Sequence, residues 1–513
     1  MSILLIHPPL SKPCEPPAGI ARLRSALRAH GVGSSILDLN LEGTLYLMQE
    51  IRGPSDTWTR RALRKLPRHL ASLRSESGYE RFASYQGAVR DLNRLLQVAG
   101  RTRGAALSLA NCQHHDLSPV KSRDLIRAAE RFEEDPFYPY FSRRLGQALE
   151  ADPPAAVGLS LNYLNQALCT FAMVGFLRKN FPALKIFLGG GLVTSWVGRP
   201  GWQNPFGGLV DSLIAGRGEA PLLSLLNAKG SLKTNDYSPD YGPFSLDDYL
   251  APGMVLPYSA SGGCYWGRCL FCPERAEGSS YQPIAPRQVI QDLRDLVVKR
   301  KPILIHLLDN AVSPGLMREL AGQRFEVPWY GFARITEQLA DLDFCLALKE
   351  SGCVMLQLGL ESGDQGVLDQ LQKGIDLGVA SQAFKNLKRA EIAAYVYLLF
   401  GTPAESEAEA RRTLEFAVRH SGEIGFLNLA IFNLPAYGEE ARDLSTHAFY
   451  EGDLSLYSSF THPRGWNRDR VRSFLEKEFK RHPAISPIVQ RDPPIFTSNH
   501  APFFAGRTVA SGA

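Results

Sequence analysis

The sequence predicts an α/β protein built from two parallel-sheet domains, and three observations support this class. Short apolar segments with strand character alternate with helical segments in two separate stretches, about 1–228 and 229–435. The 513 residues exceed what one hydrophobic core usually supports. The hydrophobic fraction of 44% and the charged fraction of 21% are those of an ordinary globular protein. Two or three globular domains are therefore expected.

The first stretch alternates strands and helices from its beginning. Strands are predicted at 2–7 and 34–39, with a helix at 18–30 between them. After a long interruption the pattern resumes with strands at 155–163 and 184–191, again separated by a helix. Such alternation predicts a doubly wound parallel sheet, which binds its ligands at the carboxyl ends of the strands.

Residues 42–150 interrupt this domain with helical patterns, few strand signals, and persistent aromatic and leucine residues. A helical insertion is therefore expected. Between Arg52 and Arg103, twelve Lys and Arg residues stand against four acids, which makes this segment +8 and the rest of the chain −3. Within 58–74, leucines recur at helical spacing opposite the basic residues. This pattern predicts an amphipathic helix whose basic side is a solvated surface or a binding surface for an acidic substrate, membrane headgroups or a partner.

The second stretch begins after a segment rich in Pro, Gly, Asp and Tyr, about 228–252, which marks the domain boundary. Six strand candidates follow, nearly all separated by helical segments: 254–261, 303–309, 329–334, 354–361, 394–401 and 426–435. Six consecutive βα units predict a partial (β/α)6 barrel of the TIM type, whose chemistry belongs at the carboxyl ends of its strands. Residues 436–513 show no clear repeat, and we expect a small C-terminal extension that caps the barrel.

Composition also bears on the compartment. No apolar run is long enough to cross a bilayer, and the first ten residues lack the basic leader of a signal peptide. A cytoplasmic location is expected, where thiols stay reduced. Five of the eight cysteines are isolated and are expected to be small buried hydrophobic residues: Cys14, Cys112, Cys169, Cys345 and Cys353.

The other three cysteines, Cys264, Cys269 and Cys272, lie within nine residues directly after the first strand of the predicted barrel. Three thiolates on one loop can converge on a single metal centre. Structural zinc prefers four ligands, often in two CxxC pairs, and the sequence has no second CxxC. A cubane iron–sulfur cluster normally has four cysteine ligands, so three would leave one iron open. A zinc site completed by a distant histidine and a chance grouping are the alternatives.

The loop resembles the cluster-binding loop of the radical S-adenosylmethionine (SAM) superfamily, including the aromatic Phe271 before the last cysteine. Its spacing is CxxxxCxxC, one residue longer than the superfamily's most frequent CxxxCxxC, and longer arms occur among cobalamin-associated members. Residues 303–314, 359–374 and 397–410 resemble the second-, fourth- and fifth-strand signatures of that cobalamin-associated branch.

The N-terminal part extends the resemblance. The segments ILLIHPP, VGLSLNYLNQA and IFLGGGLVT resemble the Rossmann-type cobalamin-binding domain that precedes the barrel in those proteins. The resemblance therefore covers about 1–41 and 153–435, and leaves out the insertion and the tail. It implies a Rossmann-like first domain with a helical insertion, followed by the radical SAM barrel.

The resemblance implies three cofactors and the residues that bind them. The three cysteines would hold a [4Fe–4S] cluster whose open iron binds SAM. SAM-binding residues are expected at and near the ends of the barrel strands: Phe271, Asp309, Arg334, Glu361 and Gly401. Cobalamin is expected to contact residues at the edge of the first sheet: Ser160, Leu161, Asn162, Tyr163, Gly189, Gly190, Gly191, Gly216 and Glu219.

Several of these assignments have alternatives. Arg334 would pair with the SAM carboxylate and Glu361 with its ribose or ammonium group, unless each forms a structural ion pair. Tyr265 and Trp266 are expected to stack on a flat ligand or to belong to the core. The sequence lacks the DxHxxG motif of histidine-ligated family members, so cobalamin is expected without that ligand. A domain that has kept its fold and lost its ligand is the alternative.

The function that the resemblance implies is a cobalamin-dependent radical SAM methyltransferase acting on an unactivated carbon or phosphorus centre, through a 5′-deoxyadenosyl radical and methylcobalamin. The alternatives are a non-methylating rearrangement, cyclisation or ring contraction, and a non-catalytic iron–sulfur or corrinoid-binding protein. A small-molecule or peptide substrate and an electron donor such as flavodoxin or ferredoxin are expected, and a nucleic-acid partner or transmembrane segment is not. No residue is assigned a direct catalytic role.

Overall fold

The computed structural model describes residues 2–51, 53, 56–228, 237–493 and 500–505. These residues form two compact units. The first takes the described residues of 1–255 and 451–455 with Pro493, and the second takes the described residues of 256–450, 456–492 and 500–505. Parts of the predicted boundary segment and of the predicted C-terminal extension lie outside the described residues.

The first unit is organised around a parallel sheet. Its strands in chain order are β1 (Ser2–His7), β2 (Gly33–Asp38), β3 (Ala105–Leu107), β4 (Cys112–His114), β5 (Ala156–Ser160), β6 (Lys185–Gly189) and β7 (Ser212–Ile214). Five of them form the sheet in the order β2-β1-β5-β6-β7, and every pair is parallel. Because the order reverses beside β1, this is the doubly wound arrangement that the sequence predicts.

Helices connect the strands and cover the sheet. They are α1 (Ala18–Ala29), α2 (Leu39–Gln49), α3 (Thr57–Leu73), α4 (Glu76–Glu80), α5 (Phe82–Arg101), α6 (Ser122–Glu130), α7 (Tyr138–Ala151), α8 (Leu164–Asn180), α9 (Gly191–Val197) and α10 (Glu219–Leu225). The insertion between β2 and β5 is helical, as predicted, but β3 and β4 add an antiparallel hairpin. Strands of three residues are too short to give a periodic signal in the sequence.

Helix α3 is amphipathic, as the leucine spacing predicts. Its buried side consists mainly of alanine and leucine: Ala62, Leu66, Leu70 and Leu73. Its exposed side is basic: Arg60, Arg61, Arg64, Lys65 and Arg68. The Asp56 carboxylate caps the helix by accepting the Thr59 N–H at 2.8 Å. A binding role for the basic side stays a hypothesis.

The described part of the predicted boundary segment, 237–255, belongs to the first unit. The buried Asp240 carboxylate pairs with Arg24 at 3.2 Å and with Arg28 at 3.0 Å. The Tyr249 hydroxyl donates to the Asp38 carboxylate at 2.5 Å. Buried carboxylates are costly without such partners, so these contacts hold the segment on the first unit.

The second unit contains the remaining strands, β8 (Val255–Tyr258), β9 (Ser261–Gly262), β10 (Gln282–Pro283), β11 (Leu304–Leu307), β12 (Trp329–Ala333), β13 (Cys353–Glu361), β14 (Ala393–Phe400), β15 (Ile424–Ile431), β16 (Leu434–Pro435), β17 (Thr446–Ala448) and β18 (Tyr457–Phe460). Six form a sheet in the order β15-β14-β13-β12-β11-β8. This is the chain order, as in a (β/α) barrel opened between its first and last strands, so the predicted partial barrel is confirmed.

The helices of this unit are α11 (Pro273–Ala276), α12 (Pro286–Arg300), α13 (Pro314–Ala321), α14 (Leu342–Glu350), α15 (Gln365–Gln370), α16 (Leu377–Arg389), α17 (Glu407–Arg419), α18 (Glu440–Asp443), α19 (Arg468–Phe474), α20 (Ser486–Gln490) and α21 (Pro502–Ala505). Strands β16, β17 and β18 form a small antiparallel sheet. Within the described ranges, no helix is both long and apolar enough to cross a membrane.

The last described residues pack against the barrel strands. The His500 ring stacks on Tyr395 of β14, with ring centroids 4.5 Å apart. Phe504 contacts Phe426 of β15 at 5.9 Å between centroids. The tail therefore covers one end of the barrel sheet through aromatic contacts.

Candidate functional site

The three clustered cysteines lie in a loop that β9 and β10 close at its base. Gly262 pairs with Gln282 and Ser261 with Pro283 in antiparallel register. Gly263, next to the first cysteine, has φ +68°, and a Cβ there would lie 2.6 Å from the Ser280 carbonyl oxygen. Only glycine fits this close approach without strain, so the strand leads directly into the cysteine loop.

The sulfur atoms of the loop interact with one another. Cys269 is buried, and Cys264 and Cys272 are half-buried. Burial raises the pKa of the Cys272 thiol, and the charges of Cys269 and Cys264 raise it further. The other two cysteines of the loop thus lie near enough to Cys272 to influence its ionisation.

Two buried cations lie beside this region. The Arg334 guanidinium is 3.7 Å from the Cys269 sulfur and 4.1 Å from the Trp266 ring centre. The Lys373 ammonium pairs with the Glu361 carboxylate at 2.8 Å. Burial raises the pKa of Cys269, while Lys373 and Arg334 oppose that shift. Positive charge beside the thiol favours the thiolate, which is the form that binds metal.

The segment 372–374 fastens the cysteine loop to the end of β13. The Trp266 indole N–H donates to the Gln372 carbonyl at 3.1 Å. Gly374 has φ +62°, and a side chain there would overlap the Trp266 ring. Trp266 is therefore a half-buried packing residue of the loop.

The neighbouring aromatic residues, Tyr265 and Phe271, also lie against charged groups. Burial raises the pKa of Tyr265 to about 12, although the charge of Arg334 opposes the shift. The Lys373 ammonium lies 5.5 Å from the Phe271 ring centre. Each of these two aromatic residues of the loop therefore lies beside one of the two cations.

Glu361 is the last residue of β13, and Asp309 lies two residues after the end of β11. Glu361 has φ +72° at a register shift of the sheet, an unusual conformation for a residue other than glycine. The Asp309 carboxylate accepts the Ala260 N–H at 3.0 Å and the Ser261 hydroxyl. Asp309 therefore fixes the turn that leads to the cysteines, and a contact of this carboxylate with SAM stays a prediction.

The turn after β14 is held by the buried side chain of Glu405, which the sequence patterns did not predict. Gly401, with φ +79°, donates its N–H to the Glu405 carboxyl at 2.5 Å. The Trp466 indole N–H reaches the same oxygen at 3.0 Å. Burial raises the pKa of Glu405 to about 8. A buried carboxyl group with a raised pKa therefore holds the turn after Gly401.

The thiol set suits a multi-iron cluster. Across the described ranges, no group of three or more His, Cys, Asp and Glu side chains is arranged to hold a metal ion. A four-iron cluster differs from a single ion because each thiolate binds a different iron. Three soft sulfur donors on one loop, with Arg334 and Lys373 to balance negative charge, fit that requirement.

The first unit presents its predicted site at the carboxyl edge of its sheet. The Asn162 amide donates to the Ser160 hydroxyl at 3.0 Å and accepts the Gly191 N–H at 3.0 Å. Gly190 has φ +110°, and a Cβ there would lie 2.8 Å from the Asn162 side-chain oxygen. Gly189 ends β6 directly before this contact. The predicted residues after β5 and β6 are therefore in mutual contact.

The Gln166 side chain cross-links the loops at this edge of the sheet, a role that the sequence pattern did not predict. Its side-chain oxygen accepts the N–H groups of Asn162 and Tyr163 at 2.9 and 3.1 Å. Its amide nitrogen donates to the Pro8 carbonyl at 2.7 Å. Gln166 thus ties the loop after β5 to the loop after β1, and its position on α8 gave no distinctive signal.

The other predicted cobalamin contacts differ in their surroundings. Leu161 is buried, whereas Tyr163 is 59% exposed. The Gly216 N–H donates to the Thr194 hydroxyl at 2.9 Å. Glu219 is buried and pairs with Arg22 at 2.5 Å, which joins α10 to α1. A contact of Glu219 with a cofactor stays a prediction.

Comparison with known proteins gives a family match and related folds. Residues 258–417 match the Radical SAM superfamily. A Pyrococcus horikoshii protein named uncharacterized methyltransferase PH0819 is 25% identical over 190 residues, which are 35% of this chain and 40% of that protein. The chain thus spans less than half of the curated relative that it matches.

Two solved structures have similar folds. One is the radical SAM methyltransferase TsrM from Kitasatospora setae, with a TM-score of 0.52 and 14% identity, covering 86% of this chain and 77% of that one. The other is the cobalamin-dependent SAM radical enzyme OxsB, with a TM-score of 0.50 and 12% identity, covering 84% of this chain and 53% of that one. At these identities the similarity establishes the fold.

Proposed function

Because residues 258–417 match the Radical SAM superfamily, we propose that this chain is a cobalamin-dependent radical SAM methyltransferase. The observation that carries the proposal is the loop of Cys264, Cys269 and Cys272 beside the buried Arg334 and Lys373. In this proposal the three thiolates hold a [4Fe–4S] cluster and SAM occupies its open iron. The cluster would supply the electron that cleaves SAM, and cobalamin would carry the methyl group.

The residues at the strand ends position SAM in this proposal. Arg334 is close enough to the cluster loop to pair with a carboxylate bound there. Glu361, already balanced by Lys373, offers its second oxygen to the ribose or ammonium group. The backbone of Gly401, fixed by Glu405, lets the adenine approach closely. Phe271 shields the cluster side of this site from water.

Cobalamin is proposed for the edge of the first sheet, at Ser160–Tyr163 and Gly189–Gly191. The support is the contact network of Asn162, Gly190 and Gln166 at the carboxyl end of the strands, where doubly wound sheets bind ligands. Further support comes from the two related folds. The TsrM structure contains cobalamin and a [4Fe–4S] cluster, and the OxsB structure contains aqua-cobalamin.

The acceptor in this proposal is an unactivated carbon or phosphorus centre of a small molecule or peptide, since a radical is needed where no acidic proton can be removed. An electron donor such as flavodoxin or ferredoxin would reduce the cluster. A cytoplasmic location is part of the proposal because it preserves free thiols and a reducible cluster.

The cysteines provide the test. Cys264, Cys269 and Cys272 are replaced together by Ala, and the control is Cys345→Ala, a buried thiol of α14. After anaerobic reconstitution, the control should hold about four irons per chain and cleave SAM under strong reduction, and the triple variant should do neither. A triple variant that still holds about four irons would contradict the proposal.

The same assay separates methyl transfer from other chemistry. Methyl transfer should release S-adenosylhomocysteine beside 5′-deoxyadenosine. Formation of 5′-deoxyadenosine alone would favour a rearrangement or cyclisation, and intact SAM would favour a non-catalytic binding protein.

A further inference from the structure

The inner face of the barrel sheet carries polar and aromatic side chains where a closed barrel usually carries branched aliphatic ones. Ring and amide contacts between strands identify this face. The Phe332 and Tyr397 rings lie 5.1 Å apart, and the Gln357 amide nitrogen donates to the Tyr397 hydroxyl at 3.0 Å. Tyr395 lies beside Tyr397 at 4.8 Å between ring centres. The strands thus place these side chains on one continuous surface.

This surface is open at its upper half and closed below. On β14, Tyr397 and Leu399 are half-buried, whereas Val396 and Leu398 on the other face are fully buried. Phe332 and Asn428 are half-buried as well. Lower on the same face, the stacked His500 ring covers Tyr395. The inner face therefore forms an open recess with an aromatic floor.

The recess lies directly below the proposed SAM site. Tyr397 is in register with Gly359 of β13. A Cβ on Gly359 would lie 2.6 Å from the Glu361 carboxylate and 2.9 Å from the Lys373 ammonium. The ion pair therefore lies over Gly359, one strand away from Tyr397. A molecule in the recess would therefore lie next to a SAM molecule bound as proposed at Glu361.

The recess offers one unused hydrogen-bond acceptor. Gln357 is 2% exposed, and its amide nitrogen is committed to Tyr397. Its side-chain oxygen has no hydrogen-bond partner among the described residues. A buried amide oxygen left unpaired costs about 1–3 kcal/mol, so a ligand N–H or O–H is the group that this position favours.

The recess has little charge. Apart from Glu361, strands β11 to β15 carry no Asp, Glu, Lys or Arg residue. The His306 ring stacks on Tyr330, with ring centroids 4.4 Å apart. Burial raises the pKa of Tyr397, so its phenol stays neutral. The charged groups at the two ends of this face already face each other, Glu361 with Lys373 at 2.8 Å and Asp492 with His500 at 3.8 Å. A charged ligand group would therefore gain little to compensate its desolvation here.

We propose that Phe332, Gln357, Tyr397 and Asn428 form the substrate-binding surface, and that it takes an uncharged planar aromatic molecule carrying an N–H or O–H donor. The donor bonds to the Gln357 oxygen, and the aromatic plane lies against the Phe332 and Tyr397 rings. The claim that this surface binds the substrate rests on the proposed function, because the surface adjoins the residues that are proposed to bind SAM.

Two isosteric probes test the proposal, indole with its ring N–H and benzofuran with a ring oxygen in its place. Binding to the anaerobically reconstituted protein with SAM is measured by ligand-observed NMR. Indole should bind about tenfold more tightly than benzofuran. Gln357→Met, which keeps the side-chain length and removes the acceptor, should abolish this preference. Gln382→Met on the exposed surface of α16 is the control and should retain it.

Thermal unfolding verifies that each variant is folded. Tyr397→Phe is a second test variant. Its preference for indole should be smaller, because the Gln357 amide loses the hydrogen bond to the Tyr397 hydroxyl that orients it. Equal binding of the two probes, binding of neither, or an unchanged preference in folded Gln357→Met would overturn the proposal. The binding assay needs no turnover. A protein that prefers indole but holds no iron would therefore contradict the proposed function and leave the recess assignment standing.

Discussion

At the residue scale, the contact between Gly374 and the Trp266 ring holds the cysteine loop in place. The positive φ of Gly374 and the Trp266 ring against its Cα leave no room for a side chain. The indole N–H bond to Gln372 closes the contact. Lys373 lies between Gln372 and Gly374 in the sequence and pairs with Glu361. The same short segment therefore packs against the cysteine loop and positions the buried ammonium group.

Gly374→Ala should therefore destabilise the loop and weaken cluster retention. The added methyl group must displace the Trp266 ring, and overpacking of this kind costs about 1–3 kcal/mol. The measurement is the melting temperature of the apoprotein together with the iron content after reconstitution. Gly422→Ala, where a Cβ would meet no atom within 4 Å, is the matched control. Equal iron content and melting temperature in the two variants would contradict this role of Gly374.

At the scale of the element, the turn between β14 and α17 depends on a buried carboxyl group. Glu405 accepts hydrogen bonds from Gly401 and Trp466, and Trp466 belongs to the C-terminal extension. His462 contacts the Thr402 carbonyl at 2.9 Å and holds the same turn. The extension thus contributes to the strand end at which SAM binding is proposed.

Glu405 predicts a pH dependence of stability. Its pKa rises from 4.5 to about 8 on folding, so the folded state keeps a proton that the unfolded state releases. The free energy of unfolding should fall as pH rises through this window, by up to about 1.4 kcal/mol per pH unit. Glu405→Gln does not titrate, so thermal unfolding from pH 5 to pH 8 should show a smaller loss of stability.

The control for this experiment is Glu415→Gln on the exposed side of α17. Its pH profile should parallel that of the unmodified protein. A Glu405→Gln profile that also runs parallel would show that Glu405 ionises normally in the folded protein.

At the scale of the whole molecule, each unit presents candidate ligand-binding residues at the carboxyl end of a parallel sheet. The first unit does so with Asn162 and Gly190, and the second with the cysteine loop and Glu361. Side chains converge at this edge because successive parallel strands end there, whatever the distance between them in sequence. This common geometry places the two proposed cofactor sites at corresponding edges of the two sheets.

The histidines of the first unit predict how a corrinoid would be held. The His7 ring is buried and bonds to Ser11 at 3.0 Å, His30 bonds to Tyr237 at 2.8 Å, and His69 bonds to Asp91 at 2.9 Å. His114 and His115 lie in and next to the insertion hairpin. We therefore expect bound cob(II)alamin to have no protein imidazole on its lower face.

Electron paramagnetic resonance of protein reconstituted with cob(II)alamin is the measurement. The spectrum should lack superhyperfine splitting from an axial nitrogen. Splitting from one axial nitrogen would contradict the prediction, and failure to bind any corrinoid would favour a first domain that has kept its fold without the ligand.

The sequence by itself indicated the radical SAM superfamily, which residues 258–417 match, and it predicted the α/β fold class, which the structure confirms. It also placed four of the six barrel strands within two residues at both ends, because strand periodicity and turn residues are local signals. The first and last predicted strands, 254–261 and 426–435, run three and four residues past the observed ends of β8 and β15. The cysteine loop was equally local, since three thiols within nine residues need no folding to be recognised as a group.

Only the tertiary structure decided which side chains meet. The Glu361–Lys373 pair, the bond of Asp309 to Ser261, the Gln166 network and the unpaired Gln357 oxygen all join residues through sheet register and loop packing. The spacing of residues along the chain predicts which side chains lie at the strand ends. It does not predict that one carboxylate pairs with a cation while another accepts a backbone N–H. Those choices depend on the burial and distance of each group, because an unpaired polar atom is costly only where water is excluded.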